Sequence, residues 1–255
     1  MKRRRALYLS AAFGGGLIWS LEWRRGGDDP SLARVRASGT LRVGLDPSYP
    51  PFASYNAAGS IVGLDVDLAR ELAERIGVEL TLVGLDGGGL LDAVLARKCD
   101  VAVGVPPARE LLRDLRYSAP YFDGGQVLLR RGEQAGERTD GAQIGVEAGS
   151  EADLRWRRIA ISLSGAQVHR LATHEELLAA LSSGEVAGVL LDGVAARLAL
   201  RADPSLVIAS EPLTHEPVVV AAHRDDARLL REVDAILATL KAAGALDVLT
   251  DKWLR

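Results

Sequence analysis

The feature that most constrains the fold is a repeated switch between two apolar periods along the chain. Short apolar runs at 41–45, 79–83 and 101–105 have the length and composition of buried strands. Between them, residues 65–76 and 90–96 carry apolar side chains at helical spacing. This β-α-β-α-β order predicts an α/β fold with a parallel sheet covered by helices.

The same pattern then restarts in the second half of the chain. Strands are predicted at 126–129, 143–146, 168–171, 186–191 and 218–222, and helices from 150, at 173–181, 194–200, 225–243 and 246–253. Two α/β units in one chain predict two lobes with a cleft between them. Ligands of such sheets bind outside the carboxyl ends of the strands.

Local signals mark several helix ends. Asp65 is expected to cap the helix that Gly77 ends. Ser150 is expected to cap a second helix, and Thr173 with Glu176 has the spacing of a capping box.

The N-terminal segment has the layout of an export signal. Residues 2–5 are basic, and residues 6–21 carry no charge, which is typical of a secretory signal and less suited to a buried N-terminal helix. The apolar run is short for a membrane span, which needs roughly 20 residues. No small-x-small cleavage site follows Leu21, so residues 1–30 are predicted to be a signal peptide or an N-terminal anchor, plus a linker. The expected location is periplasmic or extracellular, with a tether if the segment is not cleaved.

Charge and composition exclude several classes of protein. The net charge is −3, and residues 1–30 carry six basic and three acidic groups, so the remainder carries −6. An acidic body is a poor nucleic-acid binder. A single cysteine, Cys99, excludes an intrachain disulfide and zinc sites built from cysteine pairs. The four histidines have no metal-ligand spacing, so neither a metal nor a cofactor is expected.

Catalytic motifs are also missing. Ser150 lies in Ala-Gly-Ser-Glu-Ala, which is not a nucleophile elbow, and no Gly-Lys-Ser/Thr follows the three glycines at 87–89. No catalytic residue is therefore predicted, and the chain is expected not to be an enzyme.

Aromatic and polar residues follow the predicted strands. Tyr49 and Phe52 come after the first strand and are expected to line a small-molecule pocket, with Tyr121 a weaker candidate. Asp46 and Asp192 each stand directly after an apolar strand, where a carboxylate either caps the next helix or faces a cationic ligand.

One further feature is the helix start at Gly149 and Ser150. Free backbone N–H groups at a helix start attract a carboxylate or another anion.

Three sequence blocks, in order, resemble the family 3 extracellular solute-binding proteins, the periplasmic receptors of polar amino acid ABC transporters. They are GTLRVGLDPSYPPFASYNAAGSIVGLDVDLARELAERIGVEL, AALSSGEVAGVLLDGVAARLAL and EPLTHEPVVVAAHRDDARLLREVDAILATLKAAGALDVLTDKWL. The resemblance implies the type II periplasmic-binding-protein fold, with two hinge-connected lobes and a central ligand cleft. It places lobe one at 39–123 plus 221–255 and lobe two at 124–220.

By the same resemblance, Asp46, Tyr49 and Phe52 belong to the first-lobe pocket loop. Gly149 and Ser150 match the helix start that holds the ligand carboxylate, and Asp192 matches the aspartate that pairs with the ligand α-amino group.

The chain departs from the family at the carboxylate-binding arginine. Pro106, Pro107 and Ala108 replace the usual hydroxyl residues, and ungapped counting puts Leu111 at the arginine position. Arg109 lies two residues earlier, and it can take the place of the carboxylate-binding arginine only with a local shift of the chain. Losing a bidentate arginine removes the strongest carboxylate recognition available.

The resemblance implies a monomeric receptor that captures a small polar, amino-acid-like ligand and delivers it to a membrane ABC permease. Two alternatives stay open. One is a binding-protein-like accessory of a periplasmic quinoprotein dehydrogenase. The other is a cyclohexadienyl-dehydratase-like enzyme, in which Glu147 or Glu151 would donate a proton.

Overall fold

The computed structural model describes residues 29–134 and 139–254. Residues 1–28 of the predicted export segment lie outside this part of the chain. No helix among the described residues combines the length and the apolar character that crossing a membrane requires.

The described chain alternates strands and helices. The strands are β1 (Thr40–Leu45), β2 (Ser48–Tyr49), β3 (Ala53–Tyr55), β4 (Ile61–Val62), β5 (Glu79–Gly84), β6 (Val101–Val105), β7 (Leu115–Tyr117), β8 (Phe122–Asp123), β9 (Gln126–Arg131), β10 (Gln143–Glu147), β11 (Gln167–Leu171), β12 (Gly188–Asp192), β13 (Leu206–Ile208) and β14 (Pro217–His223). The α-helices are α1 (Ser31–Ser38), α2 (Leu64–Ile76), α3 (Leu90–Leu95), α4 (Glu151–Leu154), α5 (Trp156–Ser162), α6 (His174–Ser183), α7 (Gly193–Ala202), α8 (Ala227–Ala242) and α9 (Ala245–Leu254).

The first sheet has the strand order β5-β1-β6-β14-β7, with β8 paired to β14. Strand β1 pairs in parallel with both β5 and β6, as the β-α-β-α-β pattern predicts. Strand β14 comes from the C-terminal part of the chain and runs antiparallel between β6 and β7. Buried residues of α2 and α8, such as Leu72 and Leu237, pack with Val101 and Val103 of β6 in one core.

The second sheet has the order β11-β10-β12-β9-β13. Strand β10 is parallel to β11 and β12, whereas β9 is antiparallel to β12 and β13. Each face has its own core. Leu177 and Leu181 of α6 pack on one face, and Ile159 of α5 packs on the other.

The chain crosses between the two sheets twice, and the two crossing segments lie side by side. Gly124 N donates to Glu216 O at 2.9 Å, and Gln126 N donates to the Thr214 hydroxyl at 2.8 Å. The Asp123 carboxylate accepts from Glu216 N and Gly125 N, each at 2.9 Å. Two α/β lobes joined by a pair of adjacent connections form the predicted two-lobed fold, whereas the exact lobe limits stay a prediction.

Two glycines are required by the packing around them. A Cβ on Gly125 would lie 1.8 Å from Thr214 O, so only glycine allows the crossing segments to approach this closely. Gly63 has φ +146°, and its Cβ would lie 2.0 Å from Phe52 O.

The prediction that Asp65 caps α2 is wrong. Helix α2 begins at Leu64 with Gly63 at the N-cap and has no side-chain cap. Asp65 is buried instead and accepts a 2.5 Å hydrogen bond from the Tyr121 hydroxyl. This contact joins residues far apart in sequence, so a local capping pattern does not reveal it.

The other cap predictions are confirmed. Gly77 ends α2 in the left-handed conformation, with φ +83°. Ser150 Oγ accepts from Asp153 N at 3.3 Å. Thr173 Oγ1 accepts from Glu176 N at 3.2 Å, which is the first half of the capping box. The Glu176 carboxylate reaches back one residue further than the usual box, because it accepts from Ala172 N, just before the N-cap, at 2.8 Å.

Candidate functional site

A cleft of about 940 Å³ lies between the two sheets. Its walls come from the segments that follow β1, β6, β10 and β12, and from the two crossing segments. The lining residues include Tyr49, Phe52, Pro106, Pro107, Arg109 and Phe122 on the first side, and Gln126, Glu147, Ser150, Glu151, His174 and Asp192 on the second, with Gly124, His215, Glu216 and Pro217 from the crossing segments. This is the edge at which the sequence places a ligand.

The first-lobe wall is aromatic. Tyr49 and Phe52 stack with ring centroids 5.6 Å apart, and Phe52 contacts Phe122 edge-on at 5.3 Å. Phe52 is buried, whereas Tyr49 is 62% exposed and presents its ring to the cleft. Such a face suits the apolar part of a small ligand.

Tyr121 is not part of this wall. Its ring is buried, and its hydroxyl donates to Asp65 behind the cleft. Tyr121, the weaker pocket candidate, thus packs behind the cleft, and the neighbouring Phe122 lines it instead.

Asp192 caps a helix, as one of its two predicted roles requires, and it also lies in the cleft wall. It is the last residue of β12, and its Oδ1 caps α7 by accepting from Val194 N at 3.0 Å and Ala195 N at 2.9 Å. Its side chain also lines the cleft. The cap fixes the orientation of the carboxylate, so a negative charge is held ready in the wall.

Ser150 lines the cleft, but Gly149 is not among the lining residues. Gly149 N donates to Asp153 Oδ2 at 3.1 Å, so this N–H already has a partner within the loop. That hydrogen bond, together with the hydrogen bond and the positive charge of Arg170, lowers the pKa of Asp153 despite the opposing effect of desolvation.

Asp46 lies in the turn after β1 and is also outside the cleft wall. Its Oδ1 accepts from Ser48 N at 2.9 Å and from the Ser48 hydroxyl at 2.7 Å. These bonds shape the loop that carries Tyr49.

Arg109, and not Leu111, reaches the cleft. Arg109 begins a short 3-10 turn after Pro106 and Pro107, and its side chain is exposed in the cleft wall. Leu111, at the family's arginine position by ungapped counting, packs on the apolar core around Leu115. Arg109 therefore lines the cleft and Leu111 does not, and binding of a ligand carboxylate by Arg109 stays a prediction.

Sequence reasoning missed Glu216, which lies in the second crossing segment, just before β14. It lines the cleft, and its Oε1 is buried with no hydrogen-bond partner in the described chain. Desolvation raises the pKa of Glu216, and the nearby charges of Glu151, Asp192 and Asp123 raise it further. The available sequence signal was its position just before Pro217, at the boundary between two predicted units.

His215, the neighbour of Glu216, pairs with the other crossing segment. Its Nδ1 lies 2.9 Å from Asp123 Oδ2. Although burial opposes the effect, the hydrogen bonds from His215, Glu216 N and Gly125 N lower the pKa of Asp123.

The cleft wall is acidic overall. Among the described residues that line it, Glu147, Glu151, Asp192 and Glu216 carry carboxylates, whereas Arg109 carries a guanidinium. Within the described residues, no group of three or more His, Cys, Asp or Glu side chains is arranged to hold a metal ion. The arrangement suits a small polar ligand with at least one cationic group.

Two hinged α/β lobes around a polar cleft define the class of two-lobed solute-binding proteins. Residues 41–255 match the family model of the bacterial extracellular solute-binding proteins, family 3, and the chain belongs to this family. The predicted type II fold and the predicted family are both confirmed.

Named relatives agree with this assignment. The chain is 28% identical to the L-cystine-binding protein TcyJ of Escherichia coli K12, over 89% of this chain and 86% of the relative. It is 25% identical to the ABC transporter arginine-binding protein 1 of the same organism, over 85% and 91%. Among solved structures, an ancestral cyclohexadienyl dehydratase aligns with a TM-score of 0.77 and 26% identity, over 88% of this chain and 95% of that structure.

Proposed function

We propose that the protein captures a small amino acid between its two lobes and presents it to a membrane ABC permease. The observation that carries the proposal is Asp192, whose carboxylate is fixed by the α7 cap at the edge of an acidic cleft. Two curated relatives are named as cystine-binding and arginine-binding proteins, and these names support an amino acid as the ligand.

Each part of an amino acid has a partner in the cleft. Asp192 pairs with the α-amino group, and Arg109 pairs with the α-carboxylate. Tyr49 and Phe52 cover the apolar part of the side chain. Ser150 is the second contact proposed for the carboxylate.

Asp46 and Gly149, which do not line the cleft, are proposed to position neighbouring residues that do. Asp46 holds the Tyr49 loop through Ser48, and Gly149 lets the chain turn towards Ser150 with φ +78°. Direct ligand contact by Asp46 or Gly149 stays a prediction.

Closure follows from the paired crossings. The ligand binds the open form, and bending of both crossing segments brings the lobes together over it. The proposal includes lobe one at 39–123 plus 221–255, lobe two at 124–220 and a monomeric receptor. It also includes export by residues 1–30, as a cleaved signal or an anchor.

The two alternatives are not adopted. Glu147 and Glu151 do line the cleft, as a dehydratase would need, but Glu151 is paired with Arg155. The named curated relatives are binding proteins. No described feature favours an accessory role for a quinoprotein dehydrogenase.

Calorimetric titration of the purified protein with the common L-amino acids tests the proposal. Asp192→Asn keeps the oxygen that caps α7 but removes the charge, so the affinity for the bound amino acid is expected to fall at least about tenfold. Asp247→Asn, on the exposed side of α9, is the matched control. Unchanged affinity in Asp192→Asn, or no amino acid bound by a folded protein, would refute the proposal.

A further inference from the structure

Glu216, in the second crossing segment, has a carboxylate oxygen without a hydrogen-bond partner in the described chain, and it lines the cleft. Glu216 is held by its backbone on both sides, because its N–H donates to Asp123 and its carbonyl accepts from Gly124 N. Its position is therefore fixed, while its side-chain Oε1 is buried and has no hydrogen-bond donor in the described chain. A buried carboxylate oxygen without a donor is costly, so this site is incomplete in the free protein.

Neighbouring cations are already engaged elsewhere. Arg155 is close enough to favour the charged form of Glu216, but its guanidinium is bonded to Glu151. His215 is paired with Asp123. No described side chain supplies the donor that Glu216 lacks, and because Glu216 lines the cleft, a bound ligand is in a position to supply it.

The charges in the cleft also favour a ligand that brings a cationic group to Glu216. A neutral-side-chain amino acid offers one ammonium to Asp192 and one carboxylate to Arg109, and it leaves Glu216 without a counter-charge. A ligand with a second positive group compensates Glu216 as well. The cleft volume of about 940 Å³ has room for an extended ligand of this kind.

We infer that Glu216 is the specificity residue for the far end of the ligand, and that it selects amino acids whose side chain ends in a guanidinium or ammonium group. This inference rests on the proposed function, because it takes Asp192 as the partner of the α-amino group. Glu216 binds the side-chain cation by a charge-assisted hydrogen bond, to which a planar guanidinium adds a second donor.

The test compares ligands that differ only in the charge at the far end. L-Arginine is paired with neutral L-citrulline, and L-lysine with L-norleucine, in calorimetric titrations of the wild-type protein and of Glu216→Gln. The wild-type protein is expected to prefer the charged member of each pair. Glu216→Gln is expected to bind L-arginine about 10- to 100-fold more weakly, with the affinity for L-citrulline nearly unchanged.

Glu211→Gln provides the control, because Glu211 is an exposed glutamate five residues upstream. It is expected to retain the wild-type preference. Thermal unfolding of all three proteins checks that Glu216→Gln is folded, and the second ligand pair tests whether the effect follows charge and not the shape of one ligand.

The outcomes separate this inference from the proposed function. If the protein binds amino acids through Asp192 but Glu216→Gln leaves the charged-to-neutral preference unchanged, the inference is overturned and the proposed function stands. If no amino acid binds, the proposed function is wrong, and the inference that Glu216 selects among amino acids is overturned with it, even where agmatine, which lacks the carboxylate, binds in a Glu216-dependent way. If neither arginine, lysine nor agmatine binds to the folded protein, the inference is overturned.

Discussion

Replacing Asp65 by Asn removes a titratable carboxyl group buried directly behind the cleft. Asp65 is 3% exposed, and its Oδ1 accepts a 2.5 Å hydrogen bond from the Tyr121 hydroxyl. Gly104, in the cleft wall, lies so close that an added Cβ would be 2.2 Å from Asp65 Oδ2. Burial raises the pKa of Asp65 from 3.8 to about 7, even though the Tyr121 hydrogen bond favours the charged form.

The direction of the pH effect follows from this raised pKa. Between pH 4 and pH 7 the folded protein holds a proton on Asp65 that the unfolded chain releases, so the stability contribution is complete at low pH. That contribution is lost as the pH rises through the folded-state pKa of about 7. Each unit of difference in pKa corresponds to about 1.4 kcal/mol. Between pH 5 and pH 8 the loss for this one group is on the order of 2–3 kcal/mol.

Urea unfolding at pH 5, 6, 7 and 8 measures this loss in the wild-type protein and in Asp65→Asn. All other titrating groups are common to both proteins, so the difference in their unfolding free energies isolates Asp65. We expect the wild-type protein to lose about 2–3 kcal/mol relative to Asp65→Asn over this range. Tyr121→Phe keeps the carboxyl and should retain the pH dependence. Parallel curves for wild type and Asp65→Asn would show that Asp65 is ionised throughout and would refute the reasoning.

Three further predictions concern single side chains. Gly104→Ala is expected to lower the unfolding free energy by about 2–4 kcal/mol, because φ is +82° and the new Cβ would collide with Asp65; wild-type stability in urea would contradict the packing described. Thr173→Ala removes the N-cap of α6 and should lower the unfolding free energy, measured in urea, by about 1 kcal/mol, whereas Thr173→Ser should keep most of the wild-type stability. Equal stability of all three proteins would exclude the cap as a source of stability. Arg109→Ala should weaken the binding of an amino acid about tenfold while leaving that of agmatine unchanged, since agmatine lacks the carboxylate; an equal loss for both ligands in calorimetry would count against a carboxylate role.

Local signals carried most of the fold prediction. Apolar periods located the long strands and helices, and the caps at Gly77, Ser150 and Thr173 depend on neighbours within a few residues. Strands of two or three residues, such as β2, β4 and β8, are too short to show a period, and they were missed. Helix α1 was also missed, because its sequence follows a Gly- and Asp-rich stretch that favoured a linker.

The candidate site was predictable where residues directly follow a strand. Tyr49 and Phe52 follow β1 and Asp192 ends β12, and the structure brings all three to one cleft. Glu216 was not predictable in this way, because its place in the wall depends on two distant segments crossing side by side. The burial of Asp65 depends in the same way on Tyr121, 56 residues further along the chain.

The position of β14 has a consequence for the order in which the protein takes shape as it is made. The strands of the second sheet come from one continuous stretch, 126–208, and can assemble as soon as that stretch has been synthesised. The first sheet must wait, because its interior strand β14 begins only at Pro217. Until then β6 lacks its neighbour along one edge and β7 lacks the strand it pairs with, and an open strand edge is a template for pairing with another chain. The first sheet therefore begins earlier in the chain than the second but is completed later. Its open strand edges need protection from pairing with other chains until β14 has been synthesised.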